Sequence, residues 1–66
     1  MGVVHGYLQI RSQTDYILLG YMMVDRVRDA FEQALIKDEP TFEIYDVDGV
    51  RRIIRTDEFV QVMAAK

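Results

Sequence analysis

Residues 41–55 read TFEIYDVDGVRRIIR, and this stretch decides the fold because it holds two strand-like runs around a turn. Asp at the first position and Gly at the fourth position of 46–49 are typical of a type I turn closed by a glycine bulge. That turn pairs Asp46 with Val50. The register then places four apolar residues on one face: Phe42, Ile44, Val50 and Ile54. A two-residue turn at 48–49 would instead mix arginines with the core, so we predict the bulged hairpin.

Two segments precede this hairpin at the start of the chain. Tyr7 to Arg11 alternates between apolar and polar residues, as a half-buried strand does, and the polar run 12–15 predicts a turn. Tyr16 to Val24 is apolar on both alternating faces, which favours a strand covered on both sides. The alternative is a helix that starts with Thr14 as its N-cap and includes Gly20, which costs about 1 kcal/mol relative to Ala.

The hydrophobic period changes to that of a helix between Val27 and Leu35. The apolar face consists of Val27, Ala30, Phe31, Ala34 and Leu35. We predict Asp25 as the N-cap and an end near Asp38, because helical geometry is disfavoured for the residue before Pro40. Ile36 falls outside the apolar face and is expected to point outward.

The remaining residues predict a turn at 56–58 and a last short strand from Phe59 to Met63, with one helical turn as the alternative for the last segment. We therefore predict one α+β domain over residues 1–66, with a small antiparallel or mixed sheet of four to five strands and one helix packed across it. The β-β-α-β-β order is similar to the β-grasp layout. This resemblance covers element order only, and it implies no function.

The bulk composition indicates a small domain with surplus apolar surface. A chain of 66 residues buries only about 60% of the surface that its unfolded form exposes. The chain has no cysteine, so disulfides cannot stabilise it, and half of its residues are apolar. We therefore predict a homo-oligomer, with a dimer favoured, and a different protein as the second class of partner. The net charge of −3 disfavours nucleic acid as the main partner.

The hydrophobic pattern of the sequence indicates neither a membrane span nor an export signal. No stretch approaches the roughly 18 consecutive apolar residues of a membrane span, and the first residues do not form a signal peptide. We therefore expect a cytoplasmic protein that does not bind membranes.

The spacing of the polar residues argues against the common catalytic and metal-binding motifs. Aligning Gly49 with the fixed glycine of a calcium loop puts Ile44 and Arg55 at ligand positions, where neither supplies a carboxylate. His5 is the only histidine and has no second metal ligand or orienting carboxylate nearby. The acidic pairs 38–39 and 57–58 fall in predicted turns. We predict no catalytic residue, metal site or cofactor, and we expect that the protein is not an enzyme.

The apolar segment supplies the predicted protein interface. Methionine packs against irregular partners and tyrosine is enriched at contacts between proteins. The candidate interface residues are Tyr16, Leu18, Tyr21, Met22 and Ile36. The main hypothesis is a non-catalytic binding or assembly module that self-associates through the 16–24 segment.

An arginine cluster supplies the alternative function. Arg51, Arg52 and Arg55 lie within five positions of one predicted strand, and the hairpin register places Arg51 beside Tyr45. Sheet surfaces that carry arginine and an exposed aromatic ring bind single-stranded nucleic acid by charge and stacking. The competing interpretation is cross-strand pairing of these arginines with Glu43 and Asp46, which would neutralise the patch.

Overall fold

The computed structural model describes residues 3–65, which form five strands and one α-helix. In chain order the elements are β1 (Gly6–Ile10), β2 (Ile17–Leu19), α1 (Met23–Ile36), β3 (Thr41–Tyr45), β4 (Arg51–Arg55), a 3-10 turn (Thr56–Glu58) and β5 (Phe59–Ala64). The strands make two antiparallel sheets, one ordered β2-β1-β5 and the other consisting of β3 and β4. The α+β class is confirmed. The prediction of a single sheet is wrong, and the β-grasp layout is not confirmed.

The β3–β4 hairpin has the predicted register. The Asp46 N–H donates to the Val50 carbonyl at 3.0 Å, and Tyr45 lies opposite Arg51. Gly49 has a φ of 78°, the left-handed conformation that the glycine bulge requires. One detail is wrong: Val50 lies before β4 and is exposed, because the turn ends at this residue and leaves its side chain outside the core.

The 16–24 segment is not one continuous strand. Only Ile17–Leu19 is extended, and a turn then follows in which the Met23 N–H donates to the Gly20 carbonyl at 3.2 Å. Met22 adopts a left-handed φ of 71° and directly precedes the helix. The alternative helix from Thr14 is also wrong, because the chain pairs with β1 before it bends.

The helix begins two residues before the predicted cap. Met22 occupies the N-cap position without a side-chain hydrogen bond, and Asp25 lies in the first turn. The inward face is largely as predicted, with Val27 and Ala34 buried. Leu35 was predicted to face the core but is exposed, because the packed face ends with the preceding residue.

Side chains, rather than a continuous ladder, hold the two sheets together. Phe31 of the helix stacks on Phe59 of β5 with ring centroids 4.0 Å apart, and it meets Phe42 of β3 edge-on at 5.8 Å. The buried core consists of Leu8, Ile10, Ile17, Leu19, Val27, Ala34, Phe42, Ile44 and Ile54. The last strand was correctly predicted, and the turn before it is one turn of 3-10 helix.

The helix approaches the three-stranded sheet closely at Gly6. A Cβ atom at this position would clash with the Val24 side chain and would lie 2.6 Å from the Met63 carbonyl oxygen. Glycine therefore allows the start of the helix to cross β1. This packing fixes which face of the sheet the helix covers.

Candidate functional site

The outer face of the three-stranded sheet lies opposite the helix. Leu8 and Ile10 point into the core, so Tyr7 and Gln9 point to the other side. Tyr7 is the centre of this face, because Leu18 of β2 and Met63 of β5 lie opposite it on its two sides. We call this surface the outer face and define it by Tyr7, Gln9, Tyr16, Leu18, Gln61 and Met63.

Aromatic contacts organise the outer face. The rings of Tyr7 and Tyr16 lie 5.7 Å apart in a tilted arrangement. Of the two glutamines on this face, the Gln61 amide donates to the Gln9 side-chain oxygen at 2.9 Å. This bond reduces, but does not remove, the polar surface that a partner protein would have to cover.

The three-stranded sheet contains no formal charge. None of the residues in β1, β2 or β5 is Asp, Glu, Lys or Arg, although these residues make up 29% of the chain. The helix packs on the inner side, where Val27 and Ala34 join the core with Leu8. On the outer face Tyr16, Leu18 and Gln61 are exposed, whereas Tyr7, Gln9 and Met63 are half-buried.

The predicted interface residues fall into three places. Tyr16 and Leu18 lie together on the outer face, where Leu18 is 36% exposed. Tyr21 and Met22 are exposed in the connection between β2 and α1. Ile36 points outward as predicted, at the other end of the helix.

The structure adds contacts that sequence reasoning did not include. Tyr7 and Met63 join Leu18 on the outer face, and the His5 ring meets Tyr21 at a centroid distance of 5.4 Å. The alternation of 7–11 did place Tyr7 opposite the core. The position of Met63 beside it depends on the long-range pairing of β1 with β5, which no local pattern indicates.

The arginines of β4 all lie close to carboxylates. Arg51 Nε is 2.8 Å from Glu43, Arg52 Nε is 2.9 Å from Asp46, and Arg55 Nη2 is 2.8 Å from an oxygen of Asp57. The first two pairs are the cross-strand partners considered above. Tyr45 donates its hydroxyl hydrogen to Glu43 at 3.0 Å, so the acid serves both members of the Arg–Tyr pair.

Asp46 is the buried ionised group of the hairpin. Its Oδ1 accepts hydrogen bonds from the N–H groups of Val50 and Asp48, at 3.0 and 2.9 Å, and its Oδ2 faces Arg52. The Val50 N–H is the largest influence and lowers the pKa of the Asp46 carboxyl; partial burial opposes it, and Arg52 and the Asp48 N–H lower the pKa further. The carboxylate therefore fixes the turn that sets the strand register.

A groove of about 460 Å³ separates β4 from the first two strands. Its apolar residues include Ile10, Ile17 and Ile54, and Gln13 and Glu58 lie at polar positions along it. A smaller groove of about 280 Å³ shares Gln13 and Ile17 with it and continues toward the hairpin turn. Concave surfaces of this size and mixed character are where proteins bind ligands.

Residues 3–65 form neither a metal-binding cluster of side chains nor a membrane-spanning helix. No group of three or more His, Cys, Asp or Glu side chains in this range is arranged to hold a metal ion. The helix in the same range is neither long nor apolar enough to span a membrane.

Comparisons with protein families, with curated proteins and with solved structures found no match to this chain.

Proposed function

We propose that this chain is a non-catalytic binding and assembly module that self-associates, as a dimer, through the outer face. The observation that carries the proposal is the absence of charged residues from β1, β2 and β5. The water-exposed face of an antiparallel sheet is normally polar or charged, whereas this face presents two tyrosines, a leucine and a methionine beside two uncharged glutamines.

A two-fold dimer would bring two copies of the outer face together. In a two-fold dimer the same patch meets itself, and two sheet faces pack about 10 Å apart with their side chains interdigitated. The rings of Tyr7 and Tyr16 supply large rigid contact surface, and Met63 supplies adaptable surface. Leu18 lies directly beside Tyr7, so a charge introduced there would be buried in the contact.

Molar mass in solution across a concentration series tests the proposal. The protein is expected to approach twice its monomer mass of 7.7 kDa as its concentration rises. Leu18→Lys should raise the dissociation constant by at least about tenfold, because each copy buries an unpaired ammonium group. The variant should remain folded, since Leu18 points away from the core.

Val50→Lys is the matched control. Val50 is also an exposed aliphatic residue, but it lies in the hairpin turn and neither on the outer face nor beside Ile36, so the same change should leave association unaffected. Equal molar mass for the natural chain and a folded Leu18→Lys variant at every concentration would contradict the proposal. Ile36 remains a predicted second contact, and a smaller loss of association in Ile36→Lys would identify it as one.

A further inference from the structure

The edge of β4 that does not face β3 is a surface separate from the outer face. β4 pairs with β3 on one side, and no strand among residues 3–65 pairs with its other side. At the two ends of the β3–β4 ladder, backbone hydrogen bonds join Asp46 to Val50 and Thr56 to Pro40. Every second pair of an antiparallel ladder is hydrogen-bonded, so positions 50, 52, 54 and 56 face β3. The backbone N–H and C=O groups of Arg51, Ile53 and Arg55 therefore point away from β3.

The groove runs along this same edge. Its wall includes the four consecutive residues 52–55 of β4. Successive side chains of a strand point to opposite faces, so a cavity lined by four in a row follows the strand edge. Ile10 and Ile17 form the opposite apolar wall. An extended segment placed here would pair with β4 and bury its inward side chains against these isoleucines.

We propose that this edge binds an extended peptide of a partner protein, with an acidic residue opposite each of Arg51 and Arg55 and apolar residues opposite the three positions between them. Arg51 and Arg55 flank Ile53 on the outward side of the hairpin. A strand paired with this edge therefore presents an acid, an apolar residue and an acid opposite them, with apolar residues at the two positions between. The matching five-residue pattern is acidic, apolar, apolar, apolar, acidic.

Charge decides between this peptide and a second copy of β4. Antiparallel self-pairing centred on Ile53 would place Arg51 of one copy opposite Arg55 of the other, and like charges directly opposed destabilise a sheet. An acidic strand meets the same groups favourably. Arg51 and Arg55 side chains are 62% and 69% exposed, and each guanidinium retains N–H donors beyond the one in its ion pair.

Amide hydrogen exchange of the full chain, followed by NMR, tests the proposal. The probe is a peptide with the sequence Glu-Val-Ile-Val-Glu, blocked at both ends. Exchange of the Arg51, Ile53 and Arg55 amides should slow by about tenfold at ten times the dissociation constant. The amides of Arg52 and Ile54 already bond to β3 and should change little, so protection of alternate residues is the signature of edge pairing.

Charge variants test the chemistry of the occupant. The Arg51→Gln, Arg55→Gln double variant should weaken binding by about three- to tenfold, as expected for two partly exposed charge pairs. Arg28→Gln is the matched control, because Arg28 is also a surface arginine near an acid, Asp25, but lies on the helix. A peptide in which both Glu residues are replaced by Lys should bind more weakly than the probe.

Four results would overturn the proposal. The first is unchanged exchange at Arg51, Ile53 and Arg55 in millimolar peptide. The second is equal binding of the acidic and lysine peptides. The third is protection of these amides by protein concentration alone, which would assign the edge to a second copy. The fourth is binding of an oligothymidine strand that perturbs Tyr45 and Arg51 while the acidic peptide does not bind.

Discussion

The two sheets differ in the charge of their exposed faces. The three-stranded sheet has no charged residue, whereas the hairpin carries Glu43, Arg51, Arg52 and Arg55 within its two strands. The charged side chains of the hairpin form ion pairs and are well solvated, so this surface can stay exposed to water. The apolar side chains of the outer face have no such favourable interaction with water. Within one small domain, therefore, a sheet face is suited to burial while a strand edge remains open for pairing.

Substitution of Phe42, which packs between the two sheets, should cause the largest loss in the free energy of unfolding. Phe42 is 6% exposed and touches Phe31 and Phe59, so it links β3 to the helix and to β5. Phe42→Ala should lower the free energy of unfolding by about 3–5 kcal/mol, as for other buried aromatic deletions. A domain of this size is stabilised by only a few to about 10 kcal/mol in total. Urea denaturation followed by circular dichroism measures the loss.

Tyr45→Ala is the control for that substitution. Tyr45 lies on the same strand but on its outward side, so its removal should change the free energy of unfolding by less than about 1 kcal/mol. Similar losses in the two variants would show that the outward side of the hairpin contributes as much to the fold as its core side. The distinction between a core side and an outward side of the hairpin would then not hold.

The hairpin could be predicted from sequence because local chemistry specifies it. Asp46 supplies the acceptor that holds the turn, and Gly49 supplies the left-handed residue that closes it. Once these two residues fix the register, the opposition of Tyr45 and Arg51 follows. The charge pairs of Arg51 and Arg52 could likewise be anticipated from the same register.

The 16–24 segment could not be predicted in the same way. Its apolar residues belong in succession to β2, to an exposed turn and to the start of the helix, so no single hydrophobic period describes the segment. Met22 adopts a left-handed φ without being Gly, Asn or Asp, and the helix starts there without a capping side chain. Val24 in the first turn of the helix packs over Gly6, a long-range contact that the local sequence does not indicate. The contacts by which Phe31 joins the two sheets are also long-range.

The turn carboxylate should make the stability of the hairpin depend on pH. The pKa of Asp46 is lowered in the folded state, so its stabilising contribution is fully present above the unfolded value of about 4. That contribution is lost as the pH falls through the lower folded value, because a protonated Asp46 no longer holds both backbone donors and Arg52. We therefore expect Asp46→Asn to be destabilised at pH 7 and to show a weaker decrease in stability in acid.

The measurement is the free energy of unfolding in urea at several pH values from 7 to about 2.5. Asp48→Asn serves as the control, because the Asp48 side chain is exposed and makes no hydrogen bond or ion pair within residues 3–65. It should reproduce the acid dependence of the natural chain. An Asp46→Asn variant with that same dependence would show that this carboxylate does not couple proton binding to folding.

The outward charge pairs of the hairpin should have the smallest effect. Glu43→Ala removes contacts to both Arg51 and Tyr45, so a double-mutant cycle with Arg51→Ala is needed to isolate the ion pair. Both side chains are substantially exposed, and the coupling should be about 0.2–1 kcal/mol. It should decrease further in 1 M salt, where the screening length is about 3 Å.

A larger, salt-insensitive coupling would mean that the charged surface of the hairpin stabilises the fold itself. A peptide that competes for Arg51 would then have to weaken the hairpin in order to bind its edge. A small, screened coupling leaves Arg51 free to exchange Glu43 for an acidic partner at little cost. The size of this coupling energy therefore indicates whether the charged residues of β4 contribute mainly to folding or are available to bind the proposed peptide.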